Sequence, residues 1–153
     1  MFQRILVAYD GSEPAKQAVQ GAAKLAKDQH AQLRIVSVVD LTPLYRRPYP
    51  GLDLGRIEQT VMQSTQEELV EAAAIAKQAG ITPETVIARA GGQRVNDAII
   101  AQAQSWPADL IVMGTHGRGG IERFVLGSVA EGVARGAPVP VLLYRTASSG
   151  RSS

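Results

Sequence analysis

Cysteine is absent from the 153 residues. That removes disulfides, thiol nucleophiles and cysteine-held metals, and it is the usage that a reducing compartment permits. A large excess of one charge is missing too. Sixteen Lys and Arg against 14 Asp and Glu leave a formal +2, too little to argue for a nucleic-acid partner. No apolar run approaches the length of a membrane span. The opening MFQRILVAYD has neither a long apolar core nor a small-residue cleavage site. The expectation is a cytoplasmic protein with no membrane insertion. HxxxH and carboxylate clusters at ligand spacing are lacking, so no metal-ligating residue is nominated. GxxxxGK[ST] is absent as well. Gly117-x-Gly119 is followed three residues on by Glu122, which leaves GxGxxG incomplete.

What is present reads as one globular domain, 45% apolar and 20% charged. Apolar runs rich in strand formers fall at 4–9, 33–39, 85–90, 109–114 and 140–144. Helical spacing alternates with them. Ala15, Val19, Ala22, Ala23 and Ala26 form one stripe behind a Ser12 N-cap and Pro14. A second helix is predicted from Arg56 to about Ala79, with Ile57, Val61, Leu69, Ala72 and Ala76 inward and Gly80 as its stop. Helices over 93–104 and 128–135 complete the series, with Val95, Ile99 and Ile100 inward in the former. Between the second strand and its helix, 40–55 holds three prolines and two glycines and predicts an extended connection. Strict alternation implies an α/β fold, a doubly wound, Rossmann-like parallel sheet with helices on both faces. The domain is set at 1–145, and the small polar tail 146–153 is expected to be disordered.

In such a sheet, ligands sit beyond the carboxyl ends of the strands where the strand order reverses. Two loops leave strand ends with suitable chemistry. One is Asp10-Gly11-Ser12. The other is Gly114–Gly127, whose last glycine precedes the helix at Ser128. A helix N-terminus offers free N–H groups and partial positive charge, which favours a phosphate cradle. Arg118 and Arg123 would stand at its rim, or be solvated loop charges. The glycines themselves have two readings, a long turn or the close approach of a ligand.

The spacing Gly114-x2-Gly117-x9-Gly127-Ser128, the opening ILVAYDGS and the end of strand two at Ser37-Val38-Val39-Asp40 resemble the universal stress protein family. The likeness is to its ATP-binding branch and covers about residues 3–145. It implies the strand order 3-2-1-4-5 and an adenine nucleotide as ligand: ATP, or ADP or AMP, with Mg²⁺ brought through the phosphates. By resemblance, Asp10 would hold the ribose, Val38 would meet adenine through its backbone, and Ala8 would lie beside the nucleoside. Met113, Gly114, His116 and Gly117 would line the phosphate side. Gly127, Ser128 and Val129 would bind phosphate oxygens. Each role has a plainer rival: Asp10 as a turn residue, Val38 as core, His116 as an inert loop histidine. Pro140 before Val141–Tyr144 marks an edge strand, and an apolar edge invites pairing, so a homodimer through 140–144 is expected. The expected function is a stress-response regulatory protein, switched by nucleotide and read by an unidentified protein partner. No catalytic residue is nominated. A slow ATPase or adenine-nucleotide hydrolase is the alternative.

Overall fold

The computed structural model describes residues 1–46, 49–115 and 126–145. Its centre is a parallel sheet of five strands: β1 (Arg4–Ala8), β2 (Gln32–Val39), β3 (Glu84–Arg89), β4 (Leu110–Gly114) and β5 (Val141–Tyr144). The order is β3-β2-β1-β4-β5, as the resemblance implied. β1 is central, with Val7 registered against Ile35 on one side and Val112 on the other. That position explains its unbroken apolar run, because both of its faces are covered.

Side-chain alternation divides the core in two. Ile5 and Val7 face α1 (Glu13–Gln29) and α3 (Leu54–Gln78), while Leu6 faces α4 (Val95–Ser105) and α5 (Ser128–Gly136). Ile5, Leu6 and Val7 are fully buried, and cutting Ile5 or Leu6 to alanine would cost about 2–5 kcal/mol. α1 lies close to the sheet because its inner stripe is almost all alanine; Ala18, Ala22, Ala23 and Ala26 have no exposed surface. Gly21 extends that stripe, since a Cβ there would overlap the Tyr144 hydroxyl of β5.

Two expectations need correction. The 40–55 connection contains a short helix, α2 (Thr42–Arg46), entered through an Asx turn in which Thr42 N–H donates to Asp40 Oδ1 at 3.0 Å. α3 begins at Leu54, because the Asp53 carboxylate accepts from Arg56 N–H at 3.1 Å and caps it. The inward stripe of α3 also holds only in part. Leu69, Ala72 and Ala76 are buried, whereas Ile57 and Val61 are half-buried. The cause is length. A helix of 25 residues runs for about 37 Å, but the eight residues of β2 span only about 26 Å. The surplus overhangs the carboxyl edge of the sheet, where a crossover helix begins.

Candidate functional site

The reversal of strand order lies between β1 and β4, whose carboxyl ends open on a cavity of about 540 Å³. That volume is within the range of small-molecule and cofactor sites. One wall is the turn after β1. Gly11 takes φ +81°, a left-handed conformation that a side chain would disfavour. This lets the chain reverse so that Ser12 N–H donates to Asp10 Oδ1 at 2.9 Å. Ser12 Oγ then accepts from Ala15 N–H at 3.3 Å and caps α1. Asp10 is therefore both a turn residue and a cavity residue. Its two readings are compatible.

The opposite wall is the start of α5. Thr115 N–H donates to Tyr144 O at 2.7 Å, and Gly127 N–H donates to Thr115 O at 2.7 Å. Thr115 and Gly127 are thus held next to each other. Gly127 is the N-cap, and its carbonyl accepts from Glu131 N–H at 2.9 Å. The N–H groups of Ser128, Val129 and Ala130 belong to the first turn, which no intrahelical carbonyl reaches. With the positive end of the helix dipole they suit an anion. Gly127 contributes room instead, since its own N–H is committed to Thr115.

Eight of the ten expected site residues line this one cavity: Ala8, Asp10 and Val38 at the carboxyl ends of β1 and β2, Met113 and Gly114 at the end of β4, and Gly127, Ser128 and Val129 at α5. His116 and Gly117 lie outside the described residues, as do Arg118, Arg123 and the tail 146–153. The demand on Gly114 proves to be packing. A Cβ there would come within 2.7 Å of Pro14 Cβ and 3.1 Å of Ala15 N, at the first turn of α1.

Sequence reasoning missed part of the lining. Ser37 shares the cavity from β2, with its hydroxyl donating to Tyr9 O at 2.9 Å. Val95 and Ile99 of α4 supply apolar surface. Thr65 and Glu68 of α3 complete it, and Tyr9 OH anchors that helix by donating to Glu71 Oε1 at 3.1 Å. The available signal was the excess length of α3 over the strand it follows. Among the described residues, no group of three or more His, Cys, Asp or Glu is placed to hold a metal ion, and no helix is long and apolar enough to cross a membrane.

A family model described as the universal stress protein family matches residues 1–145. A universal stress protein of Methanocaldococcus jannaschii is 34% identical over 145 residues, which cover 95% of this chain and 83% of the relative. A crystal structure of a universal stress protein in complex with cAMP is 28% identical, with a TM-score of 0.68 and coverage of 95% of this chain and 98% of that one. The Archaeoglobus fulgidus universal stress protein in complex with dAMP is 27% identical, with a TM-score of 0.70 and coverage of 93% and 97%.

Proposed function

The chain belongs to the universal stress protein family, and from that premise we propose that it is a cytoplasmic regulatory protein that binds an adenine nucleotide, ATP foremost. The observation that carries this reading is a single cavity at the strand-order reversal. The Asp10 turn lies on one side of it, and the open first turn of α5 on the other. The cAMP and dAMP complexes of two relatives support the ligand class.

In this proposal the Asp10 carboxylate accepts from the ribose hydroxyls. The Val38 backbone meets adenine, and Ala8 packs beside the nucleoside. Phosphate oxygens lie at Ser128, Val129 and the adjoining Ala130, in the room left by Gly127. Met113 and Gly114 bound the phosphate side. His116 and Gly117 keep their proposed place there on the strength of the resemblance. Mg²⁺ arrives on the triphosphate, which satisfies it with few protein ligands. Occupancy then alters what the carboxyl edge of the sheet presents to a protein partner.

Calorimetry with ATP and with inorganic triphosphate tests the assignment. Asp10→Ala should weaken ATP at least about tenfold, or 1.4 kcal/mol, and leave inorganic triphosphate nearly unchanged. Equal losses for both ligands would move Asp10 to a purely structural role. Mass spectrometry of the purified protein should find an adenine nucleotide released on denaturation.

A further inference from the structure

The carboxyl edge of the sheet carries a second cavity, at the ends of β2 and β3, also of about 540 Å³. Backbone geometry brings its two sides together. Ala90 N–H donates to Val39 O at 2.9 Å and prolongs the pairing of the two strands. Gly91 and Gly92 then take φ of +62° and +87°, and Gln93 N–H closes the turn on Ala90 O at 3.1 Å. A Cβ at either glycine would meet nothing within 4 Å, so the turn needs them for conformation and not for packing. This turn delivers Gln93 and Arg94 to one side of the cavity. The Asx turn at Asp40 delivers Thr42 and Arg46 of α2 to the other.

Charge distinguishes this cavity from the first. Arg46 and Arg94 both line it, and neither has an ion-pair partner among the described residues. Arg89, at the end of β3, is by contrast committed to Glu58 at 2.8 Å. Asp40 is the one acid in the lining, and its Oδ1 accepts from Thr42 N–H. Two unpaired guanidinium groups in one concavity present forked N–H donors suited to an oxyanion. Next to Arg46, the Tyr45 ring is 55% exposed while its hydroxyl is held by Glu58 at 2.9 Å. Fixed aromatic surface beside arginine is the composition enriched in protein–protein contacts.

We propose that this cavity, with Tyr45 at its side, is a docking surface for an acidic segment of a partner protein, whose carboxylate takes the Arg46 and Arg94 guanidinium groups. The inference goes beyond the nucleotide reading and does not rest on it. The test is a selection of random dodecapeptides displayed on phage against the full wild-type chain, followed by fluorescence anisotropy of the winning peptide. Selected peptides should carry Asp or Glu beside an aromatic or branched apolar residue, and added salt should weaken them. Arg46→Gln with Arg94→Gln should weaken the peptide about tenfold and leave ATP affinity within about twofold. Both side chains are exposed, so the variant should fold, which circular dichroism checks. Arg46→Lys with Arg94→Lys keeps the charge and should keep part of the affinity. No acidic enrichment, or equal affinity in the folded glutamine variant, would overturn the inference. So would loss of ATP instead of peptide, which would assign the arginines to the nucleotide. Binding of inorganic polyphosphate but of no peptide through the same arginines would overturn it too. If wild type binds the peptide but no ATP, the nucleotide reading falls and this one stands.

Discussion

A methyl group added at position 114 separates packing from binding. Gly114 touches the first turn of α1, where Pro14 Cβ and the Ala15 backbone leave no space for a side chain. Gly114→Ala should therefore destabilise the fold by about 1–3 kcal/mol, the usual cost of overpacking, seen as a lower midpoint in thermal or urea unfolding. Gly127 behaves differently. Its φ of −66° and ψ of 156° are open to any residue. Gly127→Val should stay within about 1 kcal/mol of wild-type stability and lose ATP affinity at least about tenfold. Unaltered affinity would remove the phosphates from α5. In the sequence these glycines looked alike, two members of one spaced motif. Their separate reasons depend on which helix lies opposite, and that is a tertiary fact. Gly21 makes the same point, because its partner Tyr144 is more than a hundred positions away in the chain.

At the scale of elements, α2 and the first part of α3 are held by one three-residue bridge. Tyr45 OH donates to Glu58 Oε1 at 2.9 Å, and the Arg89 guanidinium donates to Glu58 Oε2 at 2.8 Å. Arg89 and then Tyr45 hold the Glu58 carboxyl below the ordinary glutamate value of 4.5. The hydrogen bond to Glu58 raises the Tyr45 phenol above its ordinary 10.0. The signs follow from linkage. The lowered acid stabilises the clasp at pH above 4.5 and stops doing so as pH falls through its folded value. The raised phenol stabilises it below pH 10 and stops doing so as pH rises through its own. Hydrogen exchange over 42–46 and 54–61 should therefore show a plateau of protection between acid and alkaline losses. Glu58→Gln should lower that plateau and make it insensitive to acid. Protection that falls with pH equally in Glu58→Gln would dismiss the clasp. The long elements were legible because each carries its own period or end signal: the Ser12 cap for α1, the Gly80 stop for α3, apolar runs of strand formers for the strands. The short α2 was not, because proline and glycine count against regular structure in sequence even when one turn of helix accommodates them.

On the scale of the whole molecule, alternation of strands and helices was enough to read a doubly wound sheet. Strand order came from the family resemblance, since periodicity does not say which strands are neighbours. The overhang of α3 showed in the sequence only as excess length over the preceding strand; where that surplus lies depends on how the helix packs on the sheet. β5 is an edge strand, bonded to β4 alone among the described strands. Val141 and Leu143 pack on the α4–α5 side of the core, and Tyr144 on the α1 side. Leu142 is the residue left 40% exposed. We propose that β5 pairs two copies of the chain, and Leu142 is the position that probes it without entering the core. Leu142→Lys should convert a dimer to a monomer in light scattering with little change in unfolding midpoint. A wild-type monomer at micromolar concentration would contradict the pairing.

Under the proposed nucleotide reading, the overhanging helix would act as a lever. Its fulcrum is the buried stretch at Leu69, Ala72 and Ala76, and the cavity residue Glu68 stands right beside that fulcrum. From Glu68 to Leu54 the arm is about 21 Å long, so a tilt of about six degrees moves its tip by about 2 Å. A ligand that displaces Glu68 by a few tenths of an ångström would therefore shift the exposed residues near the tip, Leu52 among them, by a distance that a docked protein can read.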